Sequence, residues 1–544
     1  MADKSAQDAS VEKQEMTQSV SEVNEKGASS QAGSEFDLVN YHEHNAGRLV
    51  VDPEEAKVEF GEAVASRLKL SKDGTKVLWP QPTDFPEDPQ NWSDFEKNFQ
   101  LLIVTMAAIV PDFDSGIGIA DIFALAKTYN TTPNEINNLT SNWSIFLLGW
   151  GGIVAVMLMR RYGRLPILFW SQLLAMGWLI GCTFAPNLNT FTAMRCLNGF
   201  FATCPQVTGL YIVTDLFPFH LQARKLNLWT MGFIISPFLS PFMMGFIVAR
   251  VSFRWTYGIG SIYSLIVVLM IAFFGKETLF DRRLANPMPI PRPASNLRYR
   301  IESVIGITGA RMAKYRDTWT EAVFPIFNCV WRPHLLPLLV FEGILFGFAI
   351  GINVTNAVFL DIPKPAGYGF TQFGIAGAYG TPIVAVVIGE LLGRYFNDWV
   401  MNFSIRRNNG VFIAENRLWT CYLAIPLYIC GFVLLGASFQ ETLSVGALVM
   451  GWGIAEVSIM INTVAVYAYC NDCFPRHQGE ISGLINLARV LGGFSVAYFQ
   501  VPWAMKNGAL QTFGVEAAIV TGLFLLIVPV LQIKGPALRA RYSI

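Results

Sequence analysis

The chain has 544 residues, of which 52% are hydrophobic and only 15% charged, against about 25% charged in soluble domains. Forty basic residues balance forty acidic ones, so no nucleic-acid partner is implied. This shortage of charge excludes an ordinary soluble protein and points to a chain that lives mostly in lipid.

Residues 1–95 read as a disordered tail. Residues 1–77 are rich in Ser, Glu, Lys and Gln, and 78–97 bring Pro and Trp up to the first apolar run. Residues 1–30 have no apolar h-region, so no signal peptide is expected and the first span directs insertion. Twelve apolar stretches follow, each near the roughly 20 residues that cross a bilayer. The first six are 98–121, 141–159, 165–185, 190–214, 227–249 and 255–275. The second six are 334–358, 371–393, 417–436, 444–469, 480–502 and 513–533. The expected fold is an all-α membrane protein of two six-helix bundles, 96–275 and 334–533. A loop at 276–333 joins them and a tail at 534–544 follows. Many solute carriers are built from such repeated halves.

Basic residues set the orientation. With the N-terminus inside, the inner connections carry Arg160, Arg161, Arg164, Arg224, Lys225, Arg394, Arg406, Arg407, Arg417 and Arg476. The central loop and the C-terminal tail add more, whereas the outer segments hold only Lys127, Arg250, Arg254, Lys364 and Lys506. Both termini are therefore expected on the cytoplasmic face, most simply of the plasma membrane. Asn130 and Asn138 begin outer sequons that can carry glycans. Within the central loop, Ile301, Val304, Ile305 and Met312 fall on one helical face ringed by arginines. That segment suits either the anionic inner leaflet or a solvated linker.

Arg195-Cys196-Leu197-Asn198-Gly199 opens the fourth stretch. A buried arginine there is costly and faces protein or a wet cavity. The segment resembles the R-x-x-Q-G motif of the major facilitator superfamily, with Asn198 where Gln is usual. The resemblance links the arginine to proton coupling; the alternative is a purely structural arginine between helices. Pro237 and Pro241, with Gly245, are similar to the G-P-x-x-G antiporter motif of that superfamily, although Ser236 and Ser240 replace its glycines. Arg160-Arg161-Tyr162-Gly163-Arg164 resembles its D-R-x-G-R loop, with Arg160 in place of the acid. Glu390 and Arg394 stand at the equivalent place in the second half. Asp88-Pro89-Gln90-Asn91-Trp92-Ser93, Lys276-Glu277-Thr278, and Glu480 with Asn486 and Arg489 resemble the fungal drug:proton branch. Within that branch the chain is most similar to the group of the yeast histidinol and polyamine transporter.

Acids inside spans bear on cargo. Asp112 and Asp114 lie two apart and point about 200° from each other on a helix. Both face one cavity only if Pro111 breaks that helix. Asp114 and Asp121 share a face. Glu342 lies in the seventh stretch, and Trp452, Glu456 and Met460 form an i, i+4, i+8 stripe in the tenth. An acid beside aromatic surface suits an organic cation, and each acid is otherwise a proton carrier or a structural pair.

No phosphate-binding G-x-x-x-x-G-K-[ST] loop occurs, and the five histidines are scattered. An ATP-driven pump, a membrane enzyme and a receptor are thereby disfavoured, and no cofactor or metal is expected. Cys470 and Cys473 form a lone CxxC, too little for a metal site. The reading is a monomeric, alternating-access secondary transporter, coupled to protons, for a small organic molecule. The cargo is an organic cation such as a polyamine, or a drug. The alternative is an efflux pump for a fungal secondary metabolite.

Overall fold

The computed structural model describes residues 52–282, 293–365, 367–407, 413–474 and 477–542. Helix dominates, and among the described residues the only β pairing is the isolated bridge between Leu70 and Val77. Eleven helical segments are long and apolar enough to cross a membrane, so this is a multi-pass membrane protein. The first span, Asp94–Ala120, starts at a capping box in which Ser93 and Glu96 satisfy each other's backbone amides. It runs through Pro111 without a break.

The fourth span differs from expectation. It is two helices, Leu188–Ala202 and Cys204–Leu216, meeting at Thr203. Pro205 sits in the opening turn of the second piece, where its missing N–H costs nothing. Each piece is shorter than the eleven spanning helices, and the pair occupies the place expected for the fourth span.

Both expected tails are also corrected. From residue 52 onward the leader is structured: a helix spans Pro53–Phe60 and a short turn Pro89–Asn91. Ala56, Val77 and Trp79 form a small buried cluster. Asp88 is fully buried and binds Arg282 of the central loop at 2.6 Å. Gln90 donates to the Asp215 carbonyl at the end of the fourth span. Residues 1–51 lie outside the described part. At the other terminus the last helix runs Ala509–Arg541, so most of the tail at 534–544 prolongs the twelfth span. Arg539 in that extension pairs with Glu415 at 2.8 Å.

The central loop forms helices at Asn296–Ile305, Ile307–Met312 and Trp319–Val330. On the first of these Leu297, Ile301 and Ile305 are exposed while Val304 is buried, so the apolar residues divide between two faces.

The first span packs on the fifth, Phe219–Val248, and the seventh, Leu336–Asp361, packs on the eleventh, Gln478–Asn507. Between the halves, the second span, Trp143–Tyr162, meets the eleventh. The fifth meets the eighth, which comprises Gln372–Ala378 and Gly380–Arg407. Small residues make these approaches possible. A Cβ on Gly116 would lie 2.8 Å from Ser240 Cβ, and one on Gly245 would lie 2.7 Å from Ala376 Cβ. Outward faces carry exposed Phe273, Leu526 and Ile533, as lipid contact requires.

Candidate functional site

The two halves enclose a cavity of about 90 Å³. Its apolar wall includes Ile145, Phe233, Phe346, Ile350 and Ile459. Its polar groups include Asp112, Ser115 and Gln206 from the first half, and Glu456, Asn353, Asn486 and Arg489 from the second. A wide helical turn at Asn137–Asn142 adds Asn137, Ser141 and Asn142. Such loosened turns change which side chains face inward and recur at functional sites.

Because the first helix is unbroken at Pro111, its two acids separate. Asp112 lines the cavity and accepts from Gln206 Nε2 at 2.7 Å. Asp114 turns into the first bundle, where Asn198 Nδ2 donates to it at 3.0 Å. Arg195 does not bind that carboxylate. Its Nη1 donates to the Asp114 backbone carbonyl at 2.8 Å, its Nη2 to that of Ser115 at 3.3 Å, and it faces the Tyr257 ring. Asp121 accepts from Thr256 on the sixth span. The buried polar cluster therefore joins the first, fourth and sixth spans, and it sits behind the cavity wall.

The second half has its own interior acid. Glu342 is fully buried and accepts from Asn462 at 2.9 Å and Thr463 at 2.8 Å. Glu456 and Met460 line the cavity, but Trp452 does not. The indole N–H of Trp452 donates to Glu456 at 3.2 Å, and its ring meets Tyr379 edge-on. Trp452 therefore orients the acid and offers no open face to a cargo, which corrects the expected three-residue stripe. The i+4 and i+8 positions face the cavity, whereas the larger ring at i is held by packing behind the wall.

Contacts draw the two halves together at both ends of the cavity. At the end bearing the central loop, Arg160 joins the second span to Glu480 of the eleventh. It also binds Asp317 of the loop at 2.6 Å. Tyr211 donates to Glu480 at 2.6 Å. Gly163 turns the chain at φ +104°, a conformation that favours glycine. Arg164 then pairs with Asp215 at 3.2 Å and stacks on Tyr211. Arg161 donates to the Asp317 carbonyl and covers Trp319. Glu277 caps the third helix by accepting from the Arg164 and Leu165 amides. At the opposite end, Gln372 Nε2 donates to the Ala120 carbonyl at 3.0 Å. Pro237 lines the cavity, while Pro241 packs on Gly116.

The second-half counterpart is not a matching lock. Glu390 is buried and neither carboxylate oxygen has a partner; Arg394 lies over Tyr395 instead. The Asn138 sequon is also compromised. Asn138 accepts from Asn142, and Thr140 is fully buried with its hydroxyl donating to the Ile136 carbonyl. Asn130 is exposed.

Sequence reasoning missed Gln206, Asn353 and the 137–142 turn as cavity residues, and named Arg489 and Asn486 only as branch markers. It also missed Glu516, a fully buried acid bonded by Gln500 at 2.9 Å, with Thr355 donating to Gln500 at 2.8 Å. An amide at 500 and an acid at 516 inside apolar runs were the available signal.

A family model described as Major Facilitator Superfamily matches residues 103–497. The chain belongs to the major facilitator superfamily. Its relatives in that superfamily include the "MFS transporter fsa7" of a Fusarium species, 25% identical over 71% of this chain and 75% of the relative. The "Trichosetin biosynthesis cluster MFS transporter" of Gibberella fujikuroi is 28% identical over 81% of this chain and 91% of the relative. "Efflux pump radE" of Floropilus chiversii is 22% identical over 93% of both. Among solved structures, the proton:xylose symporter XylE aligns with a TM-score of 0.57 over 80% of this chain and 97% of its own, at 10% identity. The human organic anion transporter MFSD10 aligns with a TM-score of 0.54 over 79% of this chain and 99% of its own, at 12% identity. At such identities these two show the shared fold. The protein is thus a secondary transporter of the major facilitator superfamily and not an enzyme.

Proposed function

We propose that this transporter exports a small organic metabolite of the kind made by a biosynthetic gene cluster, coupled to proton entry. The observation that carries the reading is the set of relatives: near-full-length matches are named as an efflux pump and as a cluster transporter. The cavity supports it. An apolar wall with a few convergent polar groups suits a drug-sized organic molecule. Asp112, Asp114, Glu342 and Glu456 are intramembrane acids of the type that carry protons. Arg195 and Asn198 brace the Asp114 segment. Arg160, Arg161, Gly163 and Arg164 close the inner end. The protein works as a monomer in the plasma membrane with both termini inside.

The test is efflux from intact cells expressing the full chain, loaded with a labelled drug-sized organic metabolite. Retention of the compound should fall on expression and recover when a protonophore collapses the gradient. Retention that ignores both expression and gradient would sink the reading. A second reading, transport of an organic cation such as a polyamine, draws on Glu456, Met460 and Asp112 at the cavity and on the similarity to the polyamine-transporter group. Labelled spermidine, moved faster than that metabolite, would favour it.

A further inference from the structure

Among the described residues, Arg489 is the one basic side chain lining the central cavity. It is 4% exposed, and its Nε has no hydrogen-bond partner. Its guanidinium carbon stands 3.4 Å from the centre of the Phe346 ring, which also lines the cavity. Asn486 lies one turn earlier on the same helix face, lines the same cavity, and leaves Nδ2 without a partner. Two donors on one helix face are therefore unspent. The acids opposite are already engaged, Asp112 by Gln206 and Glu456 by Trp452.

A buried donor without an acceptor is costly, and a buried cation without a counter-charge more so. The Phe346 ring supplies a cation–π contact but no acceptor. Asp112 across the cavity and the buried Glu342 both lie within electrostatic range of Arg489, and the Tyr467 hydroxyl accepts one of its hydrogen bonds, so the cation is balanced while its Nε stays unspent. A guanidinium backed by a ring and flanked by an amide is a geometry for a planar oxyanion.

We infer that Arg489, backed by Phe346 and assisted by Asn486, recognises an anionic head group, a carboxylate or acidic enolate, on the exported molecule. The cargo is then an organic acid or zwitterion with an apolar body. Its oxyanion replaces Asp112 as the partner of Arg489, and its body lies along Ile145, Phe233 and Ile459. This specificity rests on the export reading above.

The experiment measures binding by the purified full chain in lipid nanodiscs, through ligand-induced thermal stabilisation. Three probes sharing one ring are compared: indole-3-acetate, its isosteric neutral amide and the cation tryptamine. Indole-3-acetate should stabilise at a concentration about tenfold lower than either other probe, the gain of one charge-assisted contact. Arg489→Gln should abolish that preference and leave the amide unchanged, and Arg489→Lys should retain part of it. Equal binding of acid and amide, preference for tryptamine, or no binding of any probe would overturn the inference. So would equal loss of acid and amide in Arg489→Gln. If the variants do not fold, the order of the three probes on the wild-type chain decides. Accumulation in energised inside-out vesicles reads the export proposal separately. Acid bound but not accumulated would retain the Arg489 site and remove export. Proton-driven accumulation without acid preference would do the reverse.

Discussion

Arg160 of the second span is paired with Glu480 of the eleventh, so one side chain fastens the two halves of the transporter at the central-loop end. The same guanidinium holds Asp317 at 2.6 Å. The superfamily loop that this segment resembles carries an acid where Arg160 stands, so here the sign of the fastening is reversed.

Removing the arginine should therefore hurt more than removing the acid. Arg160→Ala leaves the fully buried Glu480 with only Tyr211 and His477 beside it, and breaking the buried ion pair costs about 3 kcal/mol or more. Glu480→Gln leaves Arg160 still paired with Asp317. The double exchange Arg160→Glu with Glu480→Arg should recover only part of the function, because the introduced carboxylate would face Asp317. Transport rate and labelling of cysteines placed at the central-loop end measure this. Full-rate transport by Arg160→Ala with unchanged labelling would show that the pair fastens nothing.

Asp88 and Arg282 form a second test, outside the spans. Burial alone would raise the Asp88 carboxyl, but the Arg282 guanidinium and the Thr83 and Gln90 amides hold it below the usual carboxylate range. A lowered folded pKa means the stabilisation is complete above the unfolded value, about 3.9. It is lost as pH falls through the lower folded value. Asp88→Asn should lower the melting temperature of the purified transporter by a constant amount between about pH 5 and 7, and the deficit should shrink below about pH 4. A deficit that does not change with pH would mean the carboxylate's charge is irrelevant there.

Glu456→Gln keeps shape and removes charge. The Trp452 indole can still donate to the amide oxygen, so folding should survive. If Glu456 carries a proton for export, the variant should slow every cargo alike and flatten the pH profile of transport. If it is a cation subsite, a cationic cargo should lose about 1–2 kcal/mol, roughly tenfold in apparent affinity, and a neutral one almost nothing. Paired uptake curves for spermidine and a neutral compound distinguish the two.

Asn130 should carry a glycan when the chain is made in a secretory membrane, and Asn138 should not. Asn130→Gln should abolish the shift produced by a glycosidase, while Asn138→Gln leaves it intact. A glycan that persists in Asn130→Gln would place the sugar elsewhere and undermine the assigned orientation.

The membrane architecture was largely legible because lipid imposes it. Apolar runs of spanning length, short connections and the basic bias need no tertiary information. The break in the fourth span was less visible. Pro205 marks it, but proline inside a membrane helix is as often tolerated, as Pro111 shows. The facing of individual side chains was readable only where the helix stayed regular. Asp112 and Asp114 point apart as their spacing dictates, whereas the wide turn at 137–142 shifts the register and brings in Asn137 and Ser141. The partner of Arg160 was not readable at all. It lies 320 residues away, and charge pairing across that distance depends on how two bundles meet. The leader shows the opposite failure. Its polar composition suggested a loose tail, yet Asp88 and Gln90 are spent on specific bonds.

The small volume of the cavity, about 90 Å³, has one more consequence. Binding pockets for drug-sized molecules occupy about 300–1,000 Å³, so a bulky cargo does not fit between halves standing this close. The halves must stand further apart when loaded than when empty. Cargo size then acts as a wedge: a drug-sized molecule and this tight arrangement of the halves exclude each other.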